Sequence, residues 1–546
     1  MRQGPGQDRR SYPHAPPGGE RLAVRGYLPF VAVCAVLALV LATVPTKDVE
    51  LLAGGNAGAA AKWEGVAPPG VEAATTCEGG ARQTKEPYSP PCLKWNGTDN
   101  GGATWNGVTR DTITVTFRTG NLPDLFAAVG GIAQKFGVKD TQADVERTAR
   151  TYIAYFNEKF ETYGRKVELK MYKGVGDQLS EFFGGAPEGA QADAITAAQE
   201  VHTFADMSAL STPYAEALTR QHVVAMPPVH MSRDWYEEHA PYAWGVLVDC
   251  SRLVDTLVDW AVKRVLPYKA RYAGDRELRG DTRKFAIVMP EQPWYKTCGD
   301  AGVAKLRSLG YEPEEAIFYP LDFNRMSTDA VSIVSKLKSR GVTSVACACD
   351  PILPLFMTAS ATQQHYFPEW ILASTALTDV DAVGQIYDAR QWNHSFGLSF
   401  LSDIYHGTEA ESYRVYKTMR GDEPAFIGDV FYYPILMLFL GIHMAGPNLT
   451  PETFQQGLFN YPPTTGEAGK WSFGPGDHTA TDDAREVYFD QTEVSPFNAT
   501  RGRYVQILQG RFEGATWPEQ EATFPINPDA GAVPTERTAQ IEEIAA

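Results

Sequence analysis

The sequence predicts an α/β fold of two lobes, each built on a mostly parallel sheet, and three observations support this. Short apolar runs alternate with helix-like stretches of ten or more residues, a pattern that requires right-handed crossovers between parallel strands. The alternation comes as two successive series, so two sheets are expected. With 546 residues, 44% hydrophobic and 21% charged, the chain can bury several cores and is too polar for a polytopic membrane protein.

In chain order, residues 1–26 are polar and carry Arg2, Arg9, Arg10, Arg21 and Arg25. The next run, YLPFVAVCAVLALVLATVP from Tyr27 to Pro45, has no charge. At about 1.5 Å per residue it just spans a bilayer core of about 30 Å. Arginines before it and KDVE after it predict a cytoplasmic segment 1–26, a transmembrane anchor or signal segment 27–45, and an exported remainder. No cleavage site directly follows the apolar core, since AAA at Ala59 to Ala61 lies too far downstream. Cys34, in mid-run after Val33, is poorly placed for lipid attachment. The reading taken is an uncleaved anchor, giving a single-pass cell-membrane protein whose main domain is extracellular or periplasmic. A formal charge of -17 speaks against nucleic acid as a partner, because tracking phosphates needs clustered Lys and Arg.

Export changes the meaning of the cysteines. Apart from Cys34 there are six, an even number in an oxidising compartment. Cys77 and Cys92 bracket a loop rich in Gly, Pro and Lys that could not make its own core, and are expected to pair. Cys250, Cys298, Cys347 and Cys349 could pair in three ways or not at all. In SVACACDP, period two puts Cys347 and Cys349 on one face about 7 Å apart, with Ala346 and Ala348 on the other. That spacing disfavours a bond between them. The reading taken is small thiols packing a buried strand; the alternatives are a bond from one of them to Cys298 or Cys250, and a metal site, which lacks further ligands nearby. No metal and no cofactor is expected.

Residues 46–109 read as a linker arm, Gly, Ala, Pro and Asn rich from Gly54 onward and without periodicity. The main domain opens at DTITVTF. The first series then runs through ADVERTARTYIAYFNEKF, KVELKMY, AQADAITAAQEV, VHTFADMS, TPYAEALTRQ and VVAMPP. After AWGVLVDCS the second runs through LVDTLVDWAVKRVL, KFAIVMP, WYKTCGDAGVAKLRSLG, AIFYPL, STDAVSIVSKLKSRG, SVACACDP, LPLFMTASATQQHY and WILAST. In such sheets ligands bind beyond the carboxyl ends of the strands, so functional residues belong in strand-to-helix loops. The helix at 430–445 is apolar but short and contains Pro434 and His443, which makes it a buried core helix rather than a second span.

Three stretches carry a resemblance: YIAYFNEKFETYGRKVELKMYKGVGD, KLKSRGVTSVACACDP followed by QQHYFPEWI, and YYPILMLFLGIHMAG. In order and spacing they resemble the type I periplasmic solute-binding proteins, the leucine/isoleucine/valine-binding group of ABC importer receptors, over about residues 110–512. The resemblance implies two Rossmann-like lobes joined by a three-crossing hinge that closes on a small-molecule ligand. Lobe 1 would be 110–245 and 376–460, lobe 2 would be 246–375 and 461–512, and 513–546 a C-terminal tail. The implied partners are ABC permease subunits, besides the membrane through the N-terminal helix.

The resemblance also implies the cleft residues. The hydroxyl-rich loop that holds a ligand carboxylate falls on MSALSTP, with Ser208, Ser211 and Thr212. After the next strand this chain has His230 and Met231 where a small residue and Thr are usual. Trp294 and Tyr295 stand where an aromatic meets the ligand. The acid that meets a ligand ammonium falls on Thr375; a desolvated ammonium needs a counter-charge, so the expected ligand lacks a free α-ammonium or has its charge met elsewhere, as by Asp350. Each has a structural alternative: packing for Trp294, hydrogen bonding for His230, and the cap of the following helix for Asp350. GPGDHTATDD, with Asp477, Asp482 and Asp483, lacks calcium-loop spacing and reads as a solvated turn. The chain has no GxSxG, HExxH, GxxxxGK or helix-opening GxGxxG, so a binding protein is favoured over an exported enzyme, and delivery to a permease over a membrane-anchored sensing ectodomain.

Overall fold

The computed structural model describes residues 63–119, 141–182, 184–229, 231–402, 410–425, 428–496 and 500–529. The expected segment 27–45 and His230 lie outside them. Two sheets organise the chain. The smaller has four parallel strands in the order Lys166–Lys173, Thr112–Thr119, Ala205–Asp206, Val224–Ala225. The larger has seven, in the order Arg501–Gln506, Arg485–Val494, Ser395–Ser399, Glu369–Leu372, Ser344–Cys347, Phe285–Pro290, Glu315–Tyr319. Its last five are parallel, and the two carboxyl-terminal strands join antiparallel at the edge. The mixed α/β architecture with parallel sheets is thus the one the alternation predicts.

Lobe 1 is centred on the helix Gly428–Ala445, whose residues from Ile435 to Ala445 are almost all buried in one core with Tyr152, Phe156, Tyr432 and Trp471. A helix apolar on all sides must be buried on all sides. Among the described residues no helix is long and apolar enough to cross a membrane.

Four expected boundaries move. The arm is not loose: Val71, Tyr88, Leu93 and Val108 belong to the lobe 1 core. The Tyr88 hydroxyl donates to the Gly469 carbonyl at 2.6 Å, and its ring lies 4.4 Å from that of Trp471. The strand Ser395–Ser399 pairs with Glu369–Leu372, so residues 376–402 continue lobe 2 instead of opening the second half of lobe 1. The chain is back in the lobe 1 core by Val415. Trp471, Phe473 and Ala480 still pack in that core whereas Ala484 and Val487 pack in lobe 2, so the last crossing falls near 481–484 and not at 461. The tail 513–546 begins as part of lobe 2, with Trp517 and Phe524 buried and Phe524 stacked 4.5 Å from Phe396.

Two crossings run side by side. Gly245 bridges Thr479 in parallel, the Thr481 hydroxyl and amide both donate to the Val246 carbonyl, and a Cβ on Gly245 would lie 2.5 Å from the Tyr236 hydroxyl. The acidic turn fixes this junction: Arg252 ion-pairs with Asp477 at 2.7 Å and also with Asp482, while Arg511 pairs with Asp483 at 2.7 Å. Among the described residues no group of three His, Cys, Asp or Glu could hold a metal ion.

Cys77 pairs with Cys92, Cys250 with Cys298, and Cys347 with Cys349. The last pairing overturns the expectation that the CAC thiols stay apart. Strand geometry ends at Cys347, and beyond it the chain contracts until the two Cα atoms are 5.0 Å apart, within disulfide reach.

Candidate functional site

The carboxyl edges of the two sheets hold most of the expected residues, and those from lobe 2 come first. Helix Pro293–Ser308 follows strand Phe285–Pro290, with Pro293 at its first turn, a position where the missing N–H costs nothing. This places Trp294 and Tyr295 at the helix start, with Trp294 facing lobe 1. Trp294 reaches across: it packs against the cluster of Met231, Tyr236 and Ala243, and a Cβ on Gly184 would lie 2.5 Å from its ring. Gly184 has φ +84°, a conformation that itself favours glycine. Thr212, at the start of helix Thr212–Arg220, makes a weak 3.6 Å contact to the Met231 sulfur, so it borders the same patch.

Tyr295 lies behind Trp294. Burial, then the nearby Asp350, pushes its hydroxyl pKa up, so it remains a protonated donor. Thr375 shares a cavity wall with Tyr295 and donates to the Cys349 carbonyl at 2.9 Å, tying together the loops that leave two adjacent strands. Around it Ser374, Ala376 and Leu377 all have φ between 47 and 64°. Three non-glycine residues in the left-handed region within four positions store strain at this edge, as binding and switch sites often do.

Asp350 is committed elsewhere. Its Oδ1 accepts the amides of Ile352 at 2.7 Å and Leu353 at 3.3 Å, and its Oδ2 accepts the Tyr319 hydroxyl. It therefore fixes the start of helix Leu353–Gln363, the structural alternative, and burial raises its pKa.

The lobe 1 hydroxyls are also engaged, by acids the sequence reading did not include. The Ser208 hydroxyl donates to Asp206 at 2.6 Å and accepts the Arg118 amide at 2.9 Å, while Ser211 donates to Glu181 at 3.1 Å. Arg118 is buried at the end of the first strand of its sheet, between Glu181 at 2.6 Å and Asp193 at 3.0 Å, with its guanidinium 3.6 Å from the centre of the Tyr214 ring. Burial is the largest influence and opposes its charge, but the hydrogen bonds and attraction of Glu181 and Asp193, with the nearby Tyr214, together outweigh it and keep its pKa above the ordinary value. Its Nε has no hydrogen-bond partner among the described residues. Two carboxylates thus face one cation, and the neighbouring Asp206 has its pKa raised by burial. The hydroxyls expected to seat an anion at MSALSTP thus donate to carboxylates of the same lobe. The signal in the sequence was the position of Arg118, last but one in TITVTFRT and so at the carboxyl edge; its partners lie 63 and 75 residues away and leave no local mark.

Residues 137–493 match the family model described as periplasmic binding protein. No curated protein is similar enough in sequence to match. Among solved structures, a solute binding protein of an ABC transporter from Rhodopseudomonas palustris HaA2, in complex with p-hydroxybenzoic acid, is similar at 12% identity and TM-score 0.50. The likeness covers 74% of this chain and 98% of that one. An ABC transporter substrate binding protein from Aeropyrum pernix is similar at 13% identity and TM-score 0.50, over 77% and 98%. With its two parallel-sheet lobes, paired crossings and an aromatic reaching from one lobe to the other, the chain belongs to the periplasmic binding protein family.

Proposed function

We propose that this chain is the solute-binding component of an ABC importer, held at the membrane by residues 27–45, and that its lobes close on a solute with an uncharged polar head and an apolar body. The observation that carries this reading is Trp294 of lobe 2 packed on Met231 and beside Gly184 of lobe 1, an apolar grip at the facing edges of both sheets. The head is uncharged because Thr375 stands where a counter-acid for an ammonium would be, while the two carboxylates of Glu181 and Asp193 outnumber the one Arg118 cation and oppose a ligand carboxylate. Charge asymmetry about the apolar run supports the anchor.

A thermal-shift panel of amides, short peptides, amino acids, aromatic acids such as hydroxybenzoates, and sugars tests it on the full chain. A solute that binds only the fold at a hundredfold its Kd adds about 2.7 kcal/mol of stability. Neutral amides are expected to raise the melting temperature more than leucine or valine. Silence across every class would remove the solute-binding reading, and tight leucine binding would remove the uncharged head.

A further inference from the structure

One face of the larger sheet is not sealed. Between it and the helices Cys250–Arg264 and Pro293–Ser308 lies a cavity of about 90 Å³. Ile287 and Ala346 sit in the middle of their strands yet are only partly buried, because they line this space. Gly299 and Gly302, one helical turn apart, are the helix wall opposite. The space has a direction. Ala348, Ala373 and Thr375 line the end that lies past the carboxyl ends of their strands, with Tyr295 and the Cys250–Cys298 disulfide. Phe285, Leu266 and Leu306 close the other end, at the start of strand Phe285–Pro290. It therefore runs inward from the edge where the lobes face each other.

We propose that this cavity is a subsite of the cleft that takes an alkyl group of about three or four carbons from the bound solute. The proposal rests on the solute-binding reading and adds where the apolar body goes. The lining is apolar except for the Tyr295 and Thr375 hydroxyls at the rim, and Thr375 already donates to Cys349. A water needs two to four polar partners, which the interior does not supply, so the occupant is apolar. An apolar cavity of about 150 Å³ takes benzene; this smaller one suits a short chain. Interiors otherwise close such gaps, and a larger residue in place of Ala346 or Ala348 would have closed this one.

The test is the affinity of the full chain, in nanodiscs, for straight-chain carboxamides from acetamide to hexanamide, measured for wild type and Ala346→Leu, with Ala261→Leu filling the same space from the helix side should the first variant fold poorly. Wild type is expected to bind about fourfold tighter per added methylene, levelling off once three or four carbons are inside. The filled variant is expected to lose the rise while keeping its acetamide affinity. A wild-type series that is flat, absence of binding by every member included, overturns the proposal, and so does a rise that survives the filling. If other solutes in the broader panel still stabilise the chain, solute binding stands and the alkyl subsite alone falls.

Discussion

Arg118 shows how much a single buried charge decides. It is held by Glu181 and Asp193 in a place where the sequence suggested an anion seat, and breaking a buried pair by removing one partner leaves uncompensated charge. Arg118→Met should cost about 3 to 5 kcal/mol in urea denaturation; a loss under about 1 kcal/mol would mean the cluster is hydrated and weakly coupled. Glu411 makes a second prediction. Burial, then Glu86, pushes its pKa from 4.5 up to about 8, so the fold keeps a proton that the unfolded chain releases. Stability should fall as pH rises from about 4.5 to about 8. The histidines act in the opposite direction: burial lowers His394, His443 and His478 to about 4, so acidification from about 6.5 protonates the unfolded chain first and stability falls towards pH 4. Melting temperatures should therefore peak at about pH 7, where the Glu411 proton begins to outweigh the three histidines, and Glu411→Gln should flatten the decline on the alkaline side. An alkaline limb unchanged by that substitution would count against the assignment. His443 was legible as a core residue from its apolar helix, but its partners were not: it accepts the Glu161 amide and donates to the Pro91 carbonyl, both at 3.0 Å and both far off in sequence.

Elements were legible in proportion to their regularity. The alternation of apolar runs and helices located most of both sheets, but not the strand Ser395–Ser399, because Ser395, Gly397 and Ser399 alternate with Phe396 and Leu398 in a strand buried on both faces. Without that strand the second crossing was displaced. The arm failed for a different reason: its order comes from contacts with residues near 461 to 471, such as the Tyr461 hydroxyl on the Tyr88 carbonyl, which no local periodicity records. Tyr88→Ala should cost about 3 to 5 kcal/mol, as buried aromatics do, where a loosely packed arm would show almost nothing. In SVACACDP the faces followed period two, with Ala346 and Ala348 together on the cavity side, while the thiols bonded because the strand stops between them. Non-reducing peptide mapping should recover three disulfides, 77–92, 250–298 and 347–349; free thiols at 347 and 349 with the other two intact would restore the buried-strand reading.

At the scale of the molecule, two lobes meet at adjacent crossings and at Trp294. The two-lobed order was readable because it repeats a pattern, whereas the surroundings of the expected cleft residues were not: the resemblance pointed to Trp294 and Tyr295, which stand at a helix start beyond a strand end, but the acids around Arg118 come from segments distant in sequence. Paired crossings near 245 and 481 suit hinge closure, and closure gains affinity only if residues from both lobes touch the solute. The most direct measurement is the calorimetric affinity of the best-stabilising solute from the panel for wild type and Trp294→Ala. A grip shared between the lobes predicts a loss of about 1 to 3 kcal/mol, roughly 5- to 150-fold in Kd, with the variant still folded; equal affinity for the two proteins would contradict it.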